Sequence, residues 1–132
     1  MPEYPLTFDT GVMVFEVTIS GHSRQIPLKM VCDTGATMTT IPKEAAIAVG
    51  CDPIKSKRRI EMITASGTEY VPIVTIPKIK WLDFELEKVE AICHSLPPQT
   101  TISGLLGLNV LRGFNIGFNF PQNTLSIIKA PQ

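Results

Sequence analysis

Hydrophobic and polar positions alternate over much of this chain. In VMVFEVTI (residues 12–19), Met13, Phe15, Val17 and Ile19 share one side of an extended strand, because successive side chains point to opposite faces. SGHS at 20–23 is a turn, and QIPLKMVC (25–32) repeats the pattern with Ile26, Leu28, Met30 and Cys32. Two such runs around a short polar turn predict a β-hairpin. The period then changes. KEAAIAVG at 43–50 follows Pro42 and ends on Gly50, which suits a short helix with proline in its first turn and glycine at its end. Strands are expected again at 59–64 and 69–76, around the Ser-Gly turn ASGT at 65–68. A further strand pair is expected at 78–81 and 85–93, a loop at LPPQTT (96–101), and an apolar stretch with turn glycines at ISGLLGLNVLRG (102–113). Strands at 114–120 and 124–129 flank a PQN turn. Many short strands with Gly/Pro turns and one short helix predict a mostly β, barrel-like fold. No internal repeat or linker interrupts it, so a single domain over 1–132 is expected, with an N-terminal extension at 1–11 and a core at about 12–129.

Composition narrows the function classes. With 132 residues, 44% hydrophobic and 18% charged, the chain can bury a core and is not of disordered type. Its formal net charge is zero, which gives no general attraction to nucleic acid or to an anionic membrane. The one basic cluster, KSKRR at 55–59, lacks interleaved aromatics and reads as a solvated loop. No apolar run approaches the ~20 residues of a membrane helix, and the first ten residues show neither a basic n-region nor an apolar h-region. A cytoplasmic location is expected. Cys32, Cys51 and Cys93 are odd in number and widely spaced, which is neither a disulfide framework nor a metal site. His22 and His94 stand far apart, and Cys93 and His94 would point to opposite faces of a strand. No metal or cofactor is expected.

One tripeptide occurs twice: FDTGV at 8–12 and CDTGA at 32–36. A carboxylate that activates water must be held rigidly, and a tight loop at the end of a core strand does this. Asp33 fits, with an apolar strand before it and a small-residue loop and a helix after it. Asp9 does not: few residues precede it, and the chain runs from Gly11 straight into a strand. Asp9-Thr10-Gly11 reads as an ordinary turn with a chance tripeptide.

Four segments, in order, make the chain resemble the retropepsin-like aspartic proteases over roughly residues 12–129. They are the hairpin ending in Met30-Val31-Cys32-Asp33-Thr34-Gly35-Ala36, then M-T-T-I-P with its short helix, the hairpin around Thr64-Ala65-Ser66-Gly67, and Leu105 to Leu111 (LLGLNVL). The tail from Leu105 is especially similar to cellular and bacterial single-domain members, such as the protease domain of the DNA-damage-inducible ubiquitin shuttles. Retroviral members usually carry an acidic residue after D-T-G-A, paired with an arginine near the Leu-Leu-Gly segment. Here Thr37 and Leu108 stand at those positions, so neither charge is left unpaired. Many cellular members have Asp where this chain has Asn109, whereas retroviral ones have Asn, so Asn is tolerated there.

The resemblance implies an acid-protease half-barrel that assembles as a C2 homodimer, with Asp33 of each subunit meeting on the two-fold axis. Two close carboxylates share a proton: the ionised one activates water and the protonated one donates to the peptide carbonyl. Thr34 would bond the partner's loop, Gly35 would allow the turn, and Ala36 would line the pocket floor. Ala65, Ser66 and Gly67 would be the tip of a flap over an extended substrate. Leu105, Leu106, Gly107 and Asn109 would pack behind the loop. Met38, Ile63 and Leu108 would give the pocket an apolar character. Strands 114–120 and 124–129 pair either across subunits, since family members dimerise through terminal strands, or within the chain. The expected activity is that of an aspartic endopeptidase with peptide or protein substrates. The alternative is the same fold used as a dimerisation or peptide-binding module with little turnover.

Overall fold

The computed structural model describes residues 2–22, 24–97 and 100–131. In chain order the elements are β1 (Glu3–Pro5), β2 (Thr7–Asp9), β3 (Val12–Ser20), β4 (Gln25–Cys32), β5 (Thr39–Ile41), α1 (Lys43–Ala48), β6 (Arg59–Thr64), β7 (Gly67–Trp81), β8 (Phe84–Cys93), β9 (Gly104–Leu106), α2 (Leu108–Leu111), β10 (Phe114–Asn119) and β11 (Thr124–Lys129). A 3-10 turn, Pro53–Lys55, precedes β6. Ser23 of the expected SGHS turn, and Pro98 and Gln99 of the expected 96–101 loop, lie outside the described residues.

Alternation produces the core. On β3, Phe15, Val17 and Ile19 are buried, and on β4 so are Leu28, Met30 and Cys32. β3 pairs antiparallel with β4, from Val14 opposite Val31 to Ser20 opposite Gln25. The strand order is β2-β3-β4-β9-β5-β8-β7-β6, and β3 also pairs with β7. That last pairing closes β3, β4, β9, β5, β8 and β7 into a barrel, so the half-barrel expected of a subunit is a sheet joined to itself. Closure removes open edges from those strands. β6 and β2 extend the barrel as side strands.

Two expectations need correction. Strands 69–76 and 78–81 are one strand: β7 runs 15 residues, through Pro77. The register runs from Ile76 opposite Val89 to Lys78 opposite Glu87, leaving Pro77 facing Lys88, whose φ is +53°. A proline without an N–H is tolerated where its partner's backbone turns away from the ladder. The apolar stretch 102–113 holds a second short helix, α2, besides α1. Within the expected N-terminal extension, β2 forms a hairpin with β3, and β1 adds to β11.

β1, β11 and β10 form a separate three-stranded sheet with β10 at one edge. An aromatic ladder joins it to the barrel. The Trp81 ring meets Phe15 at 5.5 Å and Phe114 at 5.3 Å, both edge-to-face, and Phe114 meets Phe84 at 4.9 Å. Such pairs contribute about 0.5–1.5 kcal/mol each beyond simple burial.

Candidate active site

β4 ends at Cys32, and the next residue is Asp33. The reason the chain turns sharply here lies in β9. Met30, Val31 and Cys32 pair in parallel with Gly104, Leu105 and Leu106, while Leu105 also faces Thr40 of β5. β9 is thus inserted between two strands that are neighbours in sequence. Residues 33–38 must arch over the end of β9 to get from one side to the other.

Hydrogen bonds fix the arch. The Asp33 N–H donates to the Leu106 carbonyl at 3.0 Å, and the Ala36 N–H to the Asp33 carbonyl at 3.2 Å. The Gly35 N–H donates to Asp33 Oδ1 at 2.9 Å, so the carboxylate is oriented by its own loop. Asp33 is half-buried, whereas Thr34 and Gly35 are exposed. Oδ2 accepts no hydrogen bond among the described residues.

Behind the arch lies a second layer. The Leu108 N–H donates to the Ala36 carbonyl at 2.8 Å, and the Asn109 N–H to the Thr37 carbonyl at 3.2 Å. These two main-chain bonds join the segments at Thr37 and Leu108, where an ion pair was expected to be missing. Gly107 approaches the backbone closely: a Cβ there would lie 2.4 Å from the Met38 carbonyl carbon and 2.7 Å from the Thr39 nitrogen, so only glycine fits. The Asn109 side chain uses both ends of its amide. Its Oδ1 accepts from the Thr39 N–H at 2.7 Å and from Thr39 Oγ1 at 2.9 Å, and its Nδ2 donates to the Glu90 carbonyl at 2.8 Å. Thr39 Oγ1 in turn accepts from the Gly107 N–H at 3.1 Å.

Thr39 is the residue that sequence reasoning missed. It is buried, and it links Gly107 to Asn109. The signal was present in M-T-T-I-P: a hydroxyl in a strand that is buried at every position requires a partner.

The expected site residues are brought together in part. Asp33, Thr34, Gly35 and Ala36 form the arch, and Leu105, Leu106, Gly107 and Asn109 form the layer beneath. Ala65, Ser66 and Gly67 are exposed at the tip of the β6–β7 hairpin. Met38 lines a groove with Glu90 and Val110, Leu108 lines another with Thr34 and Phe118, and Ile63 is 81% exposed on β6.

The other candidate groups behave differently. Burial, and then the charge of Asp33, raise the Cys32 thiol, while burial pushes Cys93 up to about 11, so both remain thiols at neutral pH. Asp9 accepts hydrogen bonds from Lys29 Nζ and Thr101 Oγ1, each at 2.7 Å. Those bonds, Lys29 first, hold its carboxyl below the ordinary value of 3.8.

The model of the family described as "gag-polyprotein putative aspartyl protease" matches residues 15–113. The chain belongs to this retropepsin-like aspartyl protease family. The fold is that of a retropepsin-like aspartic protease from Rickettsia conorii, which superposes with a TM-score of 0.70 at 20% identity, covering 96% of this chain and 94% of that one. No curated protein matches the sequence. The matched residues include Asp33 and the layer behind it, and they exclude Asp9. No helix among the described residues is long and apolar enough to cross a membrane.

Proposed function

We propose that this retropepsin-like chain is an aspartic endopeptidase that works as a homodimer, with Asp33 of each subunit as the catalytic pair. One observation carries the reading: Asp33 sits on a rigid arch with Oδ1 held by the Gly35 N–H and the loop open to solvent. Water activation by carboxylates needs two of them, one ionised and one protonated. Within one chain the second D-T-G offers no candidate, since Asp9 is committed to Lys29 and Thr101. A second copy supplies the missing carboxylate, and two-fold symmetry brings identical residues together on the axis.

The surface beside the arch supports this assembly. Thr34 is exposed there, next to a groove lined by Cys32, Leu108, Leu111, Phe114 and Phe118. β10 and β11 pair within the chain, and β10 keeps one edge unpaired in its sheet. In the proposed dimer that edge meets its copy and Thr34 bonds the partner's loop. The ionised carboxylate takes a proton from water as the water oxygen attacks the peptide carbonyl carbon. The protonated carboxyl donates to the carbonyl oxygen. The tetrahedral species then collapses, the C–N bond breaks, and a proton reaches the leaving nitrogen. The β6–β7 hairpin, with Ala65, Ser66 and Gly67 at its tip, acts as the flap over the bound peptide.

Mixing tests the shared site. Wild-type and Asp33→Asn protein are mixed in varying proportions at constant total concentration under conditions of subunit exchange, and cleavage of an apolar peptide is followed. Two catalytic aspartates from two chains make activity fall as the square of the wild-type fraction. A linear fall would contradict the proposal.

A further inference from the structure

The basic residues of the run 55–59 are exposed, as expected of a solvated loop, and its backbone is tied to the rest of the fold. Lys55, Lys57, Arg58 and Arg59 are four of the chain's 12 lysines and arginines, gathered within five residues. The backbone beneath them is fastened at several points. Asp52 caps the 3-10 turn by accepting the Ile54 N–H at 3.0 Å, and Pro53 is buried. Ser56 Oγ donates to the Ile73 carbonyl and accepts the Arg58 N–H at 3.2 Å. The Ile73 N–H donates to the Arg58 carbonyl at 2.9 Å.

This fastening sorts the side chains. Residues in an extended stretch alternate sides. Ser56 and Arg58 turn toward the β7–β8 body, where Arg58 makes a two-pronged pair with Glu90 at 2.8 and 2.9 Å. Lys57 and Arg59 take the other side and are exposed, as is Lys55. None of these three has an acidic partner among the described residues. Glu61, two residues past Arg59, bounds the patch. Ile54 lies beside the cations and is 82% exposed, on a turn whose own proline is buried. Arg59 opens β6, so the patch stands at the root of the β6–β7 hairpin.

We propose that this platform is a docking site for an acidic segment of the substrate protein, outside the scissile stretch, with an apolar residue that covers Ile54. Charge complementarity selects the occupant: three uncompensated cations at fixed positions attract carboxylates, and in a chain of zero net charge the attraction is local to this patch. Arg58, neutralised by Glu90, holds the platform in shape and takes no part in docking. The inference deepens the protease reading by naming a feature of the substrate, and it rests on that reading only for the word substrate.

Binding and cleavage together test it. The first probe is a fluorescein-labelled peptide of leucines and six glutamates, set against the same peptide with glutamines, and each is bound to Asp33→Asn protein. Binding by this protein does not depend on turnover, so failure of the protease reading leaves the test intact. The acidic peptide should bind about tenfold tighter than the neutral one at low salt, as expected for three exposed charge pairs of modest strength. That preference should vanish near 0.5 M salt, at about the few-ångström screening length. The triple variant Lys55→Glu/Lys57→Glu/Arg59→Glu should lose it at low salt. In an active dimer, adding the acidic segment to a cleaved peptide should lower KM by a similar factor in wild type and leave kcat unchanged. Equal affinity for the two peptides would overturn the proposal. So would a preference that survives the triple variant, or an oligonucleotide that binds more tightly than the acidic peptide.

Discussion

Residues 9–11 and 33–35 spell the same Asp-Thr-Gly and do unrelated things. At the first, Thr10 has φ +50° and Gly11 φ +88°, the left-handed pair that a two-residue hairpin turn between β2 and β3 requires. Its aspartate points to Lys29 and Thr101. At the second, neither threonine nor glycine has a positive φ, and the Gly35 N–H turns back on the Asp33 carboxylate. The difference comes from the strands. The first tripeptide joins two strands that pair with each other. The second leaves a strand whose neighbour in the sheet is a distant segment, β9, and it must arch over that segment's end. The tripeptide is permissive, and the topology decides what it becomes.

The comparison breaks most severely at the layer behind the arch. Gly107→Ala places a methyl against the backbone of Met38 and Thr39, which no side-chain rotation relieves. It should cost about 3 kcal/mol in urea unfolding and abolish cleavage.

Asn109 gives the next effect. Asn109→Asp keeps the acceptor for Thr39 but sets a carboxylate oxygen against the Glu90 carbonyl, where the wild type has an N–H donor. A loss of about 1–3 kcal/mol at neutral pH is expected from leaving such a group unsatisfied. A protonated carboxyl can donate to that carbonyl, so folding raises the pKa of the new group. The deficit relative to wild type should therefore shrink as pH falls and be full above the carboxylate range. A deficit independent of pH in denaturation would show that Nδ2 makes no such bond.

The glycines of the two tripeptides should part company. Gly11→Ala meets no atom within 4 Å and suffers only from its positive φ, so about 1 kcal/mol of stability is lost and activity is kept. Gly35→Ala has an ordinary φ but puts Cβ 3.2 Å from Asp33 Oδ1. Stability should hardly change, while kcat falls. Chemical denaturation and kinetics on the same two proteins check both halves.

The smallest effect is at Asp9. Its carboxyl is held below 3.8, so the Lys29 and Thr101 bonds stabilise the fold above that value and are lost as pH falls through the lower folded one. Asp9→Asn should be slightly less stable than wild type at neutral pH and equal to it in strong acid, by denaturation at each pH.

Much of this was legible in the sequence because it is local. The period-two faces of β3 and β4 set their own burial, and Pro42 and Gly50 bracket α1. Asp33 could be chosen over Asp9 from the strand before it. What was not legible depends on partners far along the chain. Pro77 breaks a strand in isolation, yet β7 continues past it because Lys88 opposite adopts a positive φ. Thr39 gains its role only when Asn109, 70 residues away, arrives beside it. The basic run is the loop that was expected, but its fastening was not legible, because Ser56 and Arg58 find their partners on β7 and β8.

The central claim is that one of the two identical tripeptides is chemical. Cleavage of a diverse peptide pool between about pH 3 and about pH 7, spanning carboxylate titration, should be compared for wild type, Asp33→Asn and Asp9→Asn. The account predicts that Asp33→Asn lowers turnover by about 10³-fold or more with the fold intact, and that Asp9→Asn cuts like wild type. Residual cleavage by Asp33→Asn at the wild-type rate, or its loss in a folded Asp9→Asn, would contradict it.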